Sequence, residues 1–468
     1  MMTARMQTCA RCAELKQQIA ERDAEIAQLR SQLAAATKNS STSSRPPSSD
    51  IVKKPKDKPK NGRKRRRGGQ EGHEAHQRPA FAPEQIDDTH DYTLEHCPDC
   101  GGTLESAATA PRVLQQVEFR EVPLRIDEHR GLAYWCRHCQ RVHYAAIPPE
   151  VVKAGLAGPR LTALVAFLKG VCHASFSSIR KFLRDVAGVT ISRGQLAKLV
   201  QKVSASLEAT YEALLTALPR EARLNIDETG HPDQGDRLWT WCFRAPLFTV
   251  FHINASRGSE VLLDVLGPEF DGLIGCDYFS AYRKYMKHSH VLVQFCLAHL
   301  IRDVKFLVEH PDADNRRYGT LLLKHLRELF RIIHDRDYYS SELGFRLVLA
   351  GQRDRLVAAA LQQLPATREG RNLAKRFADH ADSYFRFITE PDVDPTNNLA
   401  EQAIRFVAIH RRMTQGTRGE NGQHWCERLW TVATTCAQQG RSVFAFLLEA
   451  VQAHFHGDPF PSLLPNSS

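Results

Sequence analysis

The sequence of 468 residues predicts a multidomain α+β protein with a helical N-terminus, a small cysteine-rich domain, a basic helical segment and an α/β core. Three observations predict this fold class. A short heptad pattern lies near the N-terminus, two Cys-x-x-Cys pairs begin at Cys97 and Cys136, and the apolar pattern changes to period two from residue 223. The chain is long enough for two or more domains with a sizeable apolar core.

The first predicted element is a coiled-coil helix over residues 1–37, which are rich in Glu, Gln, Arg and Ala. Its apolar residues alternate four and three apart over about three heptads, and Arg22 occupies the one skipped position. Self-association through this seam is the favoured interpretation, and an amphipathic helix packed on its own chain is the alternative. The seam residues are Leu15, Ile19, Ile26, Leu29 and Leu33.

Residues 38–84 are rich in Ser, Pro, Lys and Arg and have almost no apolar side chains. Such a composition cannot bury a core, so we expect a disordered basic linker when this segment is free. Residues 53–67 carry ten Lys or Arg residues against one acid, Asp57. A run of this kind is typical of binding to a phosphate backbone, and a merely solubilising tail is the alternative.

Residues 85–150 contain two Cys-x-x-Cys pairs separated by alternating, strand-like sequence. Each pair can give two thiolates to one tetrahedral ion, as in a zinc ribbon. Four thiolates close the coordination sphere, so the predicted Zn²⁺ is structural and not catalytic. Disulfides are the alternative, which a reducing cytosol disfavours. The predicted zinc ligands are Cys97, Cys100, Cys136 and Cys139.

Residues 151–218 are predicted to be a helical domain, and residues 151–206 carry nine Lys or Arg residues against Asp185 alone. Two amphipathic helices joined by a short turn with Gly188 are typical of a helix-turn-helix, whose second helix enters a groove of DNA. An ordinary helical hairpin is the alternative. The predicted helices cover residues 161–169, 177–186 and 192–203, and the candidate DNA-binding residues are Arg193, Gln195, Lys198 and Lys202.

From residue 223 the pattern predicts a mixed sheet with helices on its faces. One strand is expected to end at Asp227, and two more form a hairpin around Ala245-Pro246. Further strands are expected to end at Asp277 and near Phe295, and a helix through His299 follows. The core is assigned to residues 219–310 and 391–452, with a helical insertion at 311–390 and a C-terminal tail at 453–468.

Three acids lie in settings that are typical of metal ligands. Asp227 and Asp277 each end a predicted strand, and Glu401 lies on a predicted helix. Converging carboxylates can hold Mg²⁺ or Mn²⁺, which prefer oxygen ligands, and paired metals promote phosphoryl transfer. Taken singly, each acid is better explained as an ordinary surface residue. Taken together in this order, the three predict an enzyme that acts on nucleic acid.

These features together resemble the DDE transposases of the insertion-sequence-sixty-six family over nearly the whole chain. The order of the motifs carries the resemblance, because none of them is decisive alone. After the coiled-coil start, the motifs are Asn-Ser-Ser-Thr-Ser-Ser-Arg-Pro-Pro-Ser-Ser-Asp at 39–50, the zinc ribbon, Asp227-Glu-Thr, Asp277-Tyr-Phe-Ser-Ala-Tyr, Cys296-Leu-Ala-His299, Asn397-Asn-Leu-Ala-Glu401 and Gly416-Thr-Arg.

The resemblance implies a ribonuclease-H-like catalytic core in which Asp227, Asp277 and Glu401 hold Mg²⁺ or Mn²⁺. It implies binding to the terminal inverted repeats of an insertion sequence, cleavage by water, and transfer of the freed 3′ hydroxyl into target DNA. A nuclease or resolvase on the same core, without strand transfer, is one alternative. A non-catalytic DNA-binding regulator is the other.

Other polar residues accompany the three acids. Glu228 is expected on the strand face opposite to Asp227. His299 could orient a phosphate or serve as a structural histidine, and both interpretations stay open. No acid occurs from Gln402 to Gly419, so the arginines of this stretch are expected to lie against DNA phosphates. They are Arg405, for which a partly buried ion pair is the alternative, with Arg411, Arg412 and Arg418.

No apolar stretch is expected to approach the roughly 18 residues of a membrane-spanning helix, and the N-terminus lacks the apolar core of a signal peptide. We therefore expect a cytoplasmic protein without a membrane partner. DNA is the expected main partner, and a second copy of the chain and accessory proteins of the same mobile element are further candidates.

Overall fold

The computed structural model describes residues 10–38, 82–86, 89, 99, 124–136, 141–362 and 364–465. The chain divides into two compact units, one of Met1–Val52 with Glu128–Ser468 and one of Lys53–Asp127. The second unit includes a short 3-10 helix at Pro83–Gln85. Nearly all of the predicted linker lies outside the described residues, and so do three of the predicted zinc ligands, Cys97, Cys100 and Cys139.

The N-terminal helix α1 covers Ala10–Ala36, and its apolar seam faces solvent. The five seam residues are between 45% and 65% exposed, so within the part of the chain that the structure describes the seam is not buried. Among the described residues, α1 contacts the rest of the unit at its C-terminal end, where Ser31 Oγ lies 3.4 Å from His310 Nε2 and Ala34 packs against the core. The seam is therefore available to a partner.

Most of the first unit is helical. Residues 311–390 are helical, as predicted, apart from short connections. The helices after α1 are α2 Pro149–Ala154, α3 Pro159–Gly170, α4 Phe176–Ala187, α5 Arg193–Ser206, α6 Glu208–Ala217, α7 Ser259–Leu266, α8 Ser280–Tyr285, α9 Leu297–Val308, α10 Ala313–His334, α11 Glu342–Leu361, α12 Arg368–Tyr384, α13 Arg386–Thr389, α14 Asn398–Thr414, α15 Glu420–Gln438 and α16 Val443–His456.

The turn between α4 and α5 has the expected chemistry. Gly188 ends α4 in the left-handed region at φ 71°, which favours glycine, and Ser192 begins α5 by accepting a hydrogen bond from the N–H of Gln195. However, α5 packs on α3, α15 and α16, so the helices of 151–218 share one core with the C-terminal helices. They do not form a separate compact unit, because α15 and α16 supply part of their apolar contacts.

The segment Pro149–Gly170 is, by length and composition, long and apolar enough to cross a membrane, contrary to the sequence-based expectation. One such segment is weak evidence, because core helices pass the same test. In the structure the first helix of this segment ends at Gly155, where φ is 68°. The segment therefore forms two helices, α2 and α3. Helix α3 then packs on α5 and α16 and buries Val165 and Ala166 completely.

Seven strands form two sheets in the described part of the chain. The small sheet is an antiparallel hairpin, and its first strand contains Cys136. The large sheet has the order β5-β4-β3-β6-β7, with β3, β4 and β5 antiparallel and with β6 and β7 parallel to β3. The strands are β1 Ala133–Cys136, β2 Arg141–Tyr144, β3 Arg223–Asp233, β4 Asp236–Arg244, β5 Thr249–Asn254, β6 Leu273–Cys276 and β7 Leu292–Phe295.

The predicted mixed sheet is confirmed, but the predicted end of its first strand is wrong. Strand β3 continues six residues beyond Asp227, because residues 228–233 pair with β4 as a long hairpin. The hairpin around Ala245-Pro246 is confirmed, and so is the strand that ends immediately before Asp277.

Helix α15 covers the open edge of the sheet at β5. The backbone N–H groups of Thr249, Phe251 and Ile253 donate to Thr435, Thr431 and Glu427 at 3.1, 3.0 and 2.7 Å. Four residues of an α-helix rise about 6 Å, and two residues of a strand rise about 6.8 Å. Side-chain acceptors four residues apart on α15 therefore lie opposite N–H donors two residues apart on β5. This pairing closes an edge that could otherwise bind another strand.

Candidate active site

Asp227 and Asp277 are brought together by the central pair of parallel strands. Arg223 pairs with Leu273 and Asn225 with Gly275. Asp277 directly follows β6. When the register is extended by two residues beyond Asn225 and Gly275, Asp277 lies beside Asp227. Because paired positions on neighbouring strands point to the same face, an extension of this register puts the two carboxylates on one face of the sheet. The two acids also lie close enough for Asp277 to raise the pKa of Asp227.

Glu401 reaches this face from the first turn of α14, which Asn397 fixes in place. Asn397 is 1% exposed, and its side chain donates to the carbonyl of Ile226 at 2.8 Å and accepts from Asn225 Nδ2 at 2.9 Å. The N–H of Glu401 donates to the carbonyl of Asn397 at 3.2 Å, so Glu401 lies one helical turn beyond this anchor. The anchor thus ties the third acid to the strand that carries the first.

Gly275 leaves room for this anchor. A Cβ at Gly275 would lie 2.5 Å from Asn225 Nδ2, which is closer than real contacts allow. A larger residue would therefore displace the amide pair that Asn225 makes with Asn397.

The three carboxylates influence one another electrostatically. Burial raises the pKa of Asp227 well above its ordinary value, and Glu228, Asp277 and Glu401 raise it further. Burial and Glu228 raise the pKa of Asp277 to about 7. A bound cation relieves such repulsion between buried acids, so these residues fit a divalent metal.

Glu228 lies on the other face of β3, as the alternation of the strand predicts. Its carboxylate accepts from the Arg257 guanidinium at 2.9 and 2.7 Å and from Tyr282 Oη at 2.6 Å, with its side chain 2% exposed. Both oxygens of Glu228 therefore have partners from the chain itself, which favours a structural role.

The helix α9 faces Glu401 with His299 and Arg302. His299 Nδ1 lies 3.6 Å from Glu401 Oε1, and Arg302 Nη2 donates to Glu401 Oε2 at 3.5 Å. Burial, with Arg302 nearby, lowers the pKa of His299 to about 4, so the imidazole is neutral at neutral pH. His299 is thus beside the third acid but is not ion-paired with it.

Arg411 lies beside the acidic face of β3. It is half-buried and donates to Thr229 Oγ1 at 3.1 Å, two residues after Asp227 and on the same face. Arg405, Arg412 and Arg418 are exposed. In the described part of the chain none of these four arginines forms an ion pair, which leaves their charges for another anion.

The candidate residues of α5 divide into two groups. Arg193 and Lys198 are exposed and Gln195 is half-buried. Lys202 has partners of its own, because its Nζ donates to the carbonyls of Lys153 and Ala154 at 2.7 and 2.9 Å and so closes the C-terminal end of α2. Burial lowers the pKa of Lys202.

A comparison with protein families decides the relationship. Residues 154–424, more than half of the chain, match the family described as "Transposase IS66 family" with a DDE transposase domain. The chain belongs to this family. Residues 95–140 match the zinc-finger binding domain of transposase IS66, and residues 3–79 match a family of unknown function, DUF6444. The resemblance to the insertion-sequence-sixty-six family is confirmed.

Two curated relatives come from Sinorhizobium fredii (strain NBRC 101917 / NGR234), and both are named as uncharacterized proteins. One, y4qI, is 23% identical over 394 residues, which cover 77% of this chain and 71% of the relative. The other, y4hP, is 24% identical over 378 residues, which cover 73% of this chain and 67% of the relative. These names add nothing about activity.

Membership of the IS66 family makes the chain a DDE transposase, an enzyme of phosphoryl transfer that binds DNA. The DDE domain implies a divalent metal, and the zinc-finger domain implies zinc. The transposase match begins at residue 154, so it includes α3, α4 and α5 with the sheet.

Three residues that shape this site are not revealed by the sequence pattern. Asn397 anchors the third acid, Arg302 contacts it, and Arg257 satisfies Glu228. Asn397 belongs to a motif already singled out, but its side chain makes no cap hydrogen bond to α14, so a capping signal does not reveal its contacts with β3. The roles of Arg257 and Arg302 depend on tertiary contacts that no local pattern reveals.

Proposed function

We propose that this DDE transposase cleaves DNA at the ends of its insertion sequence and joins the freed 3′ ends to target DNA, with Asp227, Asp277 and Glu401 as its catalytic acids. The observation that carries the proposal is the shared face of Asp227 and Asp277, to which Asn397 anchors Glu401. The strand order β5-β4-β3-β6-β7, antiparallel on one side of β3 and parallel on the other, supports a ribonuclease-H-like core.

The residues of this chain have separate tasks in such a reaction. Asp227, Asp277 and Glu401 would hold Mg²⁺ or Mn²⁺, and the arginines at 405, 411, 412 and 418 would bind DNA phosphates near them. The chemistry that the metal supplies when bound is activation of the attacking oxygen and stabilisation of the leaving oxygen. Arg411 is best placed to position a phosphate at the acids, because it contacts Thr229 on the same face.

The proposal predicts products that require both cleavage and joining. A terminal duplex of the element and a target duplex, incubated with the protein and Mg²⁺ or Mn²⁺, should give nicked ends and covalently joined products. Removal of the divalent metal should abolish both. Nicks without joined product would favour a nuclease or resolvase, and metal-independent binding with neither product would favour a non-catalytic regulator.

The exposed N-terminal part of α5 is proposed to contact the element ends. Arg193 and Lys198 are exposed on the basic segment, whereas Lys202 is occupied by the carbonyls of α2. Basic side chains at the start of the second helix match the docking geometry of a helix-turn-helix. Gln195, which is half-buried, and Lys202 are weaker candidates.

Arg193→Ala with Lys198→Ala is therefore expected to weaken binding to terminal DNA and to lower the salt dependence by about one unit per lost phosphate contact. The measurement is affinity against salt concentration. Lys375→Ala, which removes an exposed Lys from α12, is the control and should leave both quantities unchanged. A folded double variant with wild-type affinity and salt slope would contradict the assignment.

The seam of α1 is proposed to join two or more copies of the chain. Its five apolar residues are exposed. Burial of each of them against a partner helix would contribute about 1.5–3 kcal/mol to association. The alternation of four and three residues is that of a coiled coil.

Ile26→Asp with Leu29→Asp should therefore convert the oligomer to a monomer in sedimentation or light scattering. The matched control is Ala27→Asp with Gln28→Asp, which adds the same charge to the same turn away from the seam. Equal masses for the two variants would contradict association through the seam.

The zinc of the zinc-finger region is proposed to be held by Cys97, Cys100, Cys136 and Cys139. All four lie within the matched residues 95–140. Cys136 is the last residue of β1, at the end of the hairpin with β2, which suits a ligand at a ribbon tip.

A further inference from the structure

Cys296, His299 and Glu401 form a cluster of three metal-ligating side chains, here called the Cys-His-Glu cluster. Their ligand atoms all lie within 4.8 Å of one another. Cys296 is the residue before α9, His299 lies in the first turn of α9, and Glu401 faces them from α14. The cluster shares no residue with the matched zinc-finger region, residues 95–140.

Two atoms of the cluster are buried without a hydrogen-bond partner. They are His299 Nδ1 and Glu401 Oε1, which face each other at 3.6 Å. This separation is too long for a hydrogen bond. It is close to the roughly 3.4 Å between a nitrogen and an oxygen that share a tetrahedral Zn²⁺ at ordinary bond lengths. His299 is 8% exposed, so water does not readily replace the missing partner.

The surroundings of Cys296 suit a thiolate ligand. Its Sγ accepts the backbone N–H of Asn397 at 3.1 Å, and the N–H groups of Ala298 and His299 also lower its pKa. Burial outweighs them and raises the pKa of Cys296 to about 11, so without a cation the group is a thiol. A coordinating cation displaces the proton to solvent, and N–H donors then stabilise the thiolate.

We propose that Cys296 Sγ, His299 Nδ1 and Glu401 Oε1 form a binding site for a borderline divalent cation of the Zn²⁺ class, with one coordination position left for water. Zn²⁺ accepts sulfur, nitrogen and carboxylate ligands in tetrahedral geometry. Mg²⁺ and Mn²⁺ prefer oxygen ligands, so they do not compete well for this set.

The site shares Glu401 with the proposed catalytic acids, so its consequence for activity rests on the proposed function. A Zn²⁺ ion that binds Oε1 would draw Glu401 toward α9 and away from the cation held with Asp227 and Asp277. Zn²⁺ should therefore inhibit strand joining that is supported by Mg²⁺.

The first test measures bound zinc in the full chain. After equilibrium dialysis against Zn²⁺, the wild type should hold one equivalent more than Cys296→Ser and than His299→Gln. Cys436→Ser is the matched control, because Cys436 is also a buried free thiol but lies on α15 outside the cluster. Equal zinc in the wild type and in both cluster variants would overturn the site.

Two variants that each remove one ligand keep the test valid if one of them does not fold.

Addition of Co²⁺ to protein whose zinc-finger region already holds Zn²⁺ provides a second measurement. A new thiolate-to-cobalt absorption should appear in the wild type and be absent from Cys296→Ser. The same spectrum in both proteins would also contradict the site.

The second test compares inhibition within each protein. The zinc concentration that halves Mg²⁺-supported joining should be at least about tenfold higher for Cys296→Ser than for the wild type. Equal sensitivity would contradict the shared use of Glu401. If no protein joins strands, the proposed function fails, whereas the zinc measurement still decides the site.

Discussion

Asp227→Asn, Asp277→Asn and Glu401→Gln are each expected to lower the rate of strand cleavage and joining by at least about a hundredfold. Loss of an outer partner of a metal ligand already costs about ten- to a hundredfold, so loss of a direct ligand should cost more. Each substitution removes one negative charge near the DNA, so affinity for terminal DNA should be retained or rise. Gel-based assays of joined product and a separate binding assay measure the two effects.

The control for these variants is Asp236→Asn. Asp236 is an exposed acid on the turn of the same β3–β4 hairpin, and its substitution should leave the rate unchanged. Asp227→Asn should not lower the unfolding temperature of the metal-free protein, because the Asp227 carboxylate is buried among other acids. Near-wild-type activity in any one of the three variants would show that this acid is not a catalytic ligand.

Asn397→Ala is expected to lower both stability and activity. Removal of its amide leaves the Ile226 carbonyl and Asn225 Nδ2 without partners in a buried place, and each unsatisfied group costs about 1–3 kcal/mol. The free energy of unfolding should therefore fall by roughly 2–6 kcal/mol. Because α14 loses the contact with β3 that lies nearest to Glu401, the rate of cleavage should also fall about ten- to a hundredfold.

Chemical denaturation and the cleavage assay check the two parts of this prediction. The matched control is Asn398→Ala, the same substitution one residue later at an exposed position. Asn398→Ala should change the free energy of unfolding little. Wild-type stability and rate in Asn397→Ala would mean that another contact positions Glu401.

The sequence allowed the main elements of the core to be predicted, because their patterns are local. The period-two runs of β4 and β5 and the helical pattern of 311–390 correspond to observed elements. The end of β3 was misplaced because Gly230 and Pro232 are residues that usually interrupt strands. Nine paired positions with β4 outweigh that preference, and the register of such a hairpin is a tertiary property.

The candidate site was likewise predictable from the sequence only where its signals are local. The three acids could be selected from motifs, but their common position depends on the register of β3 with β6 and on the Asn397 anchor. The packing of α5 against α15 and α16 joins segments more than 200 residues apart in sequence, which explains why 151–218 was predicted to be a separate domain. Lys202 was included among the candidate DNA-binding residues on its charge, and its contacts with the carbonyls of α2 depend on tertiary structure.

The central claim is that Asp227, Asp277 and Glu401 act together in metal-dependent strand transfer. The most direct measurement supplies terminal DNA that is already cleaved, with a free 3′ hydroxyl, and counts its joining to a target duplex in Mg²⁺. The wild type should form joined product, and the three single variants should form none above background while still binding the DNA. Joining by a variant at the wild-type rate, or wild-type protein that cleaves but never joins, would contradict the claim.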